Sequence, residues 1–283
     1  MIDFDFVAEV QNLAFLAIAF VYMWIAKKIF DFRSRARFNA DHAIEEESNL
    51  AVGLRRGALY LAIPLGMFGA ISGPSAGFAQ DVQDFSVDGA VLTVFLLIAT
   101  WINDKIIVTG IDNTEAIREG NTAVGLVEAG ALIATGFIAQ GSFSGEGGGV
   151  LNAFVFFLLG QIALVVLVLL YEWLTPFRAI EEIRNGNHAA GLMVGGMMVA
   201  LGIILSFSIA GDFTSWQADL ATFGYSALKG IVVLLVAQWF IDLIFLPHTD
   251  LQTEIERDRN AAAIAVTVGL QIALALLIAG AIV

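Results

Sequence analysis

Residues 149–171 read Gly149-Val-Leu-Asn-Ala-Phe-Val-Phe-Phe-Leu-Leu-Gly-Gln-Ile-Ala-Leu-Val-Val-Leu-Val-Leu-Leu-Tyr171, a stretch without one charged side chain. About 20 predominantly apolar residues suffice to carry a helix across about 30 Å of hydrocarbon, and this run meets that length unaided. Extended to 149–173 it is one of eight segments of the kind, the others being 8–30, 50–71, 88–108, 121–140, 188–210, 218–246 and 261–282. Only a helix satisfies all its backbone groups within one apolar segment, and a barrel would alternate apolar with polar residues. The predicted fold is therefore all-α, a polytopic membrane protein of eight transmembrane helices.

Composition agrees and excludes several functions. Hydrophobic residues make up 58% and charged residues 14%, with a mean hydropathy of +0.82, too much apolar surface for a soluble fold to hide. The net charge of −13 argues against nucleic acid, whose phosphates demand clustered Lys and Arg. With no cysteine there is no thiol chemistry and no disulfide. The opening Met1-Ile-Asp-Phe-Asp-Phe-Val-Ala-Glu9 is acidic where a secretory leader is basic, so the first span is expected to be a retained helix.

All basic residues except Lys229 lie at or beside the connections that follow odd-numbered spans, from Lys27, Lys28, Arg33, Arg35 and Arg37 through to Arg257 and Arg259. By the positive-inside rule these connections face the cytoplasm of an inner (plasma) membrane, which puts both termini outside. Trp24, Trp101, Trp173 and Trp239 fall near the same ends of the odd spans, the place of an interfacial aromatic belt.

Each of those connections closes on an asparagine that opens an even span: Ser48-Asn49-Leu-Ala51-Val-Gly53, Gly120-Asn121-Thr-Ala123-Val-Gly125, Gly186-Asn187-His-Ala189-Ala-Gly191 and Arg259-Asn260-Ala-Ala262-Ala-Ile264. The asparagines are 72, 66 and 73 residues apart, and Glu115, Glu181 and Glu254 stand six residues before three of them. This divides the chain into four two-helix units, 1–72, 73–145, 146–214 and 215–283. Asparagine is a good N-cap and the neighbouring Ala and Gly permit close helix approach, a structural reading that stands beside a direct role in binding. Units of two spans all point the same way, so rotation about the membrane normal relates them, and a ring with a central or inter-unit pathway is expected.

The third unit carries Tyr171-Glu172-Trp-Leu174-Thr175-Pro176-Phe177 followed by Glu182-Ile183-Arg-Asn-Gly186-Asn187-His-Ala189-Ala190-Gly191, and the first carries Ile63-Pro64-Leu65. In these residues the chain resembles the YjfL-like membrane family of unknown function, as a duplicated, four-unit form. The resemblance implies an inner-membrane protein, sometimes encoded beside ATP-grasp enzymes, and no established activity.

Ionisable residues inside a span point to function, because they cost about 2.5–3.5 kcal/mol at a helix centre. Glu128 stands seven residues beyond Asn121, about 10 Å deep at 1.5 Å per residue, and Lys229 lies well within the seventh span. The two are within reach of an ion pair; a snorkelling lysine and a lone protonated carboxyl form the bland alternative. Asp31, Asp104, Glu172 and Asp242 mark the inner ends of the odd spans, either as a ring of negative potential that favours cations or as interfacial acids paired with neighbours such as Lys105. His42, His188 and His248 lack ligand spacing even with Asp41 or Asp250 beside two of them, so no metal and no cofactor is expected. No nucleotide loop, nucleophile elbow or zinc helix is present, so no catalytic residue is assigned and an enzyme is the least expected class. The expectation is a small-ion or proton-linked channel or transporter; a scaffold that recruits a cytoplasmic protein partner is the alternative. The bilayer is the one obligatory partner, and a homo-oligomer is compatible with the sequence.

Overall fold

The computed structural model describes residues 6–72, 75–145, 147, 149–175, 177–245 and 250–280; the side chains of residues 6–9, 242, 243 and 245 lie outside that description. Among the described residues eight helices are long and apolar enough to cross a membrane: α1 (Phe6–Ser34), α3 (Leu50–Ala70), α4 (Phe78–Ile102), α6 (Thr122–Phe143), α7 (Gly149–Leu174), α9 (His188–Ile209), α10 (Trp216–Phe245) and α11 (Ala261–Gly280). Short helices α2 (Ala40–Glu45), α5 (Asn113–Arg118) and α8 (Ala179–Arg184) lie in the connections that carry most of the basic residues. In the last such connection a π-helical turn, Thr253–Arg257, takes their place. A second π-helical turn, Asn103–Ile107, ends α4. No strand occurs among the described residues.

The expected third span, 88–108, begins ten residues too late. α4 starts at Phe78 and takes in Asp81, Asp84 and Asp88. Its first turn is held by Asp81, whose carboxylate accepts the Ser75 hydroxyl and, at 3.0 Å, the Ala76 N–H. Acids favour the positive end of a helix, so the edge of hydropathy was not the edge of the helix.

The asparagines cap as their position implies. Oδ1 of Asn49 accepts the Val52 N–H at 3.1 Å, that of Asn121 the Val124 N–H at 3.1 Å, that of Asn187 the Ala189 N–H at 3.0 Å, and that of Asn260 the Ala262 N–H at 3.1 Å. The residue before each is left-handed, with φ of +86° at Gly120, +77° at Gly186, +52° at Ser48 and +50° at Arg259. That conformation costs an ordinary residue about 1–2 kcal/mol and glycine almost nothing, which explains the glycine of the two middle units.

The amide nitrogens reach across to the next unit. Asn49 Nδ2 donates to the carbonyls of Ile117 and Arg118 at the end of α5, both at 3.0 Å. Asn121 Nδ2 donates to Ile183 and Arg184 at the end of α8, both at 3.1 Å, and Asn187 Nδ2 to Ile255 in the last π-helical turn at 2.6 Å. One side chain thus starts its own helix and closes the end of its neighbour's.

α3, α6, α9 and α11 pack side by side in that order, and α1, α4, α7 and α10 form a second row against them. The first row is held by backbone contact. A Cβ on Gly130 would lie 2.4 Å from the Gly195 Cα, and one on Gly191 would lie 2.4 Å from the Ala123 carbonyl oxygen. The expected ring is not formed: α3 and α11 end the row on opposite sides and do not pack together. Parallel orientation leaves the angle between units free, and here the glycine contacts fix it at a value that does not close in four steps.

Candidate functional site

Glu128 is 2% exposed in the first third of α6, and the structure places it against Arg55 of α3, not Lys229. Arg55 Nε and Glu128 Oε2 are 3.1 Å apart. That is an ion-pair distance without the alignment of a hydrogen bond, and neither Glu128 oxygen has a hydrogen-bond donor. The Arg55 guanidinium also lies over the Phe30 ring, 5.5 Å from its centre. Asp104 of the first π-helical turn comes close enough to Glu128 to act on it electrostatically. Arg33 of α1 holds Asp104 Oδ2 at 2.8 Å, while Asp104 Oδ1 and both amide atoms of the adjacent Asn103 are buried without partners. Two arginines and two carboxylates from α1, α3, the first π-helical turn and α6 therefore form one cluster that runs from the buried Arg55 and Glu128 through part-buried Asp104 to exposed Arg33, neutral in sum but poor in donors.

Lys229 sits half-buried on α10 with no ion pair among the described residues. A pair with Glu128 does not form because α10 packs on α9, α11 and α7, whereas Glu128 looks toward α3. Sequence reasoning missed Arg55 by counting it with the loop residues. It stands six residues beyond Asn49, so the rise that buries Glu128 puts Arg55 about 9 Å into the helix.

Of the other acids expected to form a negative ring at this end, those whose side chains are described are each engaged. Asp31 pairs with Arg56 and, at 3.5 Å, with Lys27; Glu172 accepts the Ile180 N–H at 2.9 Å; the Asp242 side chain lies outside the described residues. Asp104 pairs with Arg33, not Lys105. Asp41 accepts from Lys27 at 2.7 Å and Arg56 at 2.9 Å, which holds its carboxyl below the usual range. Arg37 does the same for Asp112. The motif glutamates have no common role: Glu115 pairs with Arg118, Glu181 with Arg178 at 3.7 Å, and Glu254 is buried with Oε2 unpartnered. His42 faces Glu47 at 3.6 Å, His188 opens α9, and His248 lies outside the described residues.

At the opposite end a cavity of about 550 Å³ opens between α4, α6, α7, α9 and α10. Asp81, Asp84, Asp88, Asp212 and Asp219 line it with no Lys or Arg, and Asn152 Oδ1 and Ser208 Oγ are unpartnered in its wall. Ser142 of α6 also lines it. Below Ser142, at successive steps of seven residues on the same face, stand Thr135, Glu128 and Asn121, each about 10.5 Å from the last. Thr135 is fully buried, and its hydroxyl accepts from Gln161 Nε2 of α7 at 3.1 Å. Ser142, Thr135 and Glu128 thus form a file of polar residues on one face of α6 between the acidic cavity and the charge cluster, with buried apolar residues such as Ala131 and Ile138 in the intervals.

Eight apolar helices in repeated hairpins, with a polar file between them, define a polytopic helical membrane protein of repeat architecture. The chain belongs to the family described as Domain of Unknown Function (DUF350), matched twice in tandem at residues 5–143 and 147–282. It is similar to the UPF0719 transmembrane protein of Aquifex aeolicus (strain VF5), 21% identical over 251 residues that cover 87% of this chain and 91% of that one. It is also similar to the UPF0719 transmembrane protein YshE of Bacillus subtilis (strain 168), 29% identical over 104 residues, 36% of this chain and 77% of that one. No solved structure matches the chain.

Proposed function

We propose that the chain lies in the cytoplasmic membrane, with its short helices inside, and passes protons or other small cations along the α6 file. One observation carries the reading: a fully buried Glu128 whose two oxygens lack any hydrogen-bond donor, beside a second carboxylate, Asp104, with an unpartnered oxygen. A buried carboxylate beside a second, part-buried one is relieved when a proton joins them, and the arginines at Glu128 and Asp104 balance the charge when it leaves. The five-aspartate cavity concentrates cations at the outer mouth. The basic connections support the orientation.

The test is proton flux in proteoliposomes carrying an internal pH-sensitive dye and an imposed potassium-diffusion potential. Wild-type protein should acidify or alkalinise the lumen at least several-fold faster than empty liposomes, and Glu128→Gln, checked for folding by circular dichroism, should return to the empty rate. Wild-type flux equal to that of empty liposomes, for protons and for sodium or potassium, overturns the reading.

A further inference from the structure

The row of α3, α6, α9 and α11 repeats one interface, and its two ends each keep half of that interface unused. Counted from the capping asparagine, the residue two positions on meets the neighbour's residue four on: Ala51 meets Gly125 and Ala123 meets Gly191. The residue nine on meets the neighbour's eight on, as Gly130 meets Gly195 and Gly196 meets Val268. Thirteen meets fifteen, as Ala62 meets Gly136 and Ala134 meets Gly202, and twenty meets nineteen, as Gly69 meets Gln140 and Gly141 meets Ser206.

On α11 the four donating positions are Ala262, Gly269, Ala273 and Gly280, all exposed on one side of the helix. On α3 the receiving positions are Gly53, Gly57, Pro64 and Phe68. A Cβ on Gly269, Gly280, Gly53 or Gly57 would meet nothing within 4 Å, unlike one on Gly130, Gly195 or Gly141. The hydrogen bonds end in the same way. Asn260 caps α11, but its Nδ2 has no partner corresponding to those of Asn49, Asn121 and Asn187. The carbonyls in the position of Ile117 and Arg118 are those of Glu45 and Glu46, at the exposed end of α2.

We infer that a second copy of this chain continues the row, its α3 seated on α11 and its Glu45 and Glu46 carbonyls accepting from Asn260 Nδ2. Exposure alone says nothing here, since lipid covers any apolar face; the argument is what the register positions hold, small residues at all four on α11, glycines at the first two on α3, and an amide left over on Asn260. Close contact is expected in the half near the asparagine, where Gly53 and Gly57 stand. Pro64 and Phe68, in the places of Gly136 and Gln140, splay the helices apart farther on. The junction of α9 with α11 carries its own bulk nearer the asparagine, at Ile264 and Val268, and has Ala275 and Ala279 in the places of Pro64 and Phe68. The contact is head-to-tail, so it builds a ring or a linear array and not a two-fold dimer. The Bacillus subtilis relative, about half as long as this chain, would reach four units by the same contact.

The chain has no cysteine, so introduced thiols report cleanly. One tagged copy carrying Gly57→Cys and a differently tagged copy carrying Gly269→Cys are co-expressed and oxidised in the membrane. A disulfide joining the two tags is expected, at several times the yield from either variant expressed alone. Gly269→Leu, at a position with open space around it, should shift the protein from oligomer to monomer when its mass is read in lipid nanodiscs. A wild-type protein that is monomeric in nanodiscs, or cross-linking as strong between two Gly269→Cys copies as in the mixed pair, overturns the inference.

Discussion

Arg55 and Glu128 are both more than nine-tenths buried, so each depends on the other for the solvation that water would supply. Removing one member of such a pair typically costs about 3–5 kcal/mol, because it strands the remaining charge. Arg55→Met and Glu128→Gln should each lower the thermal stability in detergent by that order, and the double variant should recover much of it. A double-mutant cycle should read a coupling of about 0.5–3 kcal/mol; additive losses would show that Asp104 and Arg33 carry the two groups separately. Asp41 gives a pH dependence. Its carboxyl is held low by hydrogen bonds from Lys27 and then Arg56, so the stability it contributes is complete above the ordinary carboxylate value and is lost as pH falls through the lower folded value. Unfolding followed from pH 6 downward should show that acid loss blunted in Asp41→Asn. Of this cluster Glu128 and Asp104 were legible in the sequence, the first as a charge inside an apolar run and the second as an acid at the end of a span, but not their meeting. Arg55 sat close enough to a basic loop to pass for part of it.

The capping half of each asparagine was legible because an N-cap is a local contract between a side chain and the next turn. Its second half was not, because the carbonyls it reaches lie 62 to 69 residues away and nothing local marks them. The glycines show the same division. Their spacing announced close packing without naming the partner helix, and the structure supplies it: α6 touches α3 on one side and α9 on the other. Gly191→Leu drives a side chain into the Ala123 backbone and should cost about 1–3 kcal/mol or more through overpacking, read as a lower melting temperature. Gly53→Ala, with open space around it, should leave the melting temperature of the isolated chain within experimental scatter. Equal losses at the two positions would mean that glycine acts there through the backbone and not through helix contact.

Eight spans and their repeat could be read directly, because hydropathy and period are properties of the chain alone. Their arrangement could not: parallel hairpins are equally consistent with a ring and a row, and only contact across units decides. In the row the burial is uneven, with 78% of the α6 apolar window and 72% of that of α9 enclosed against 28% for α11. Hydrogen exchange in detergent should therefore open α11 well before α6 and α9, since each inner helix is held from both sides. Simultaneous exchange of all three would mean that the bundle opens as one. The chain of asparagines has a last consequence, for how such a protein changes length. Every junction uses the same asparagine side chain on a carbonyl near the end of the neighbour's connection, in matching helix register, so a whole unit spliced in or lost at either end leaves an intact row with one junction more or fewer. Duplication of a unit then needs no new surface, and the connections absorb differences in length, since the asparagines stand 72, 66 and 73 residues apart, whereas an insertion inside α3, α6, α9 or α11 shifts the register and breaks the stack.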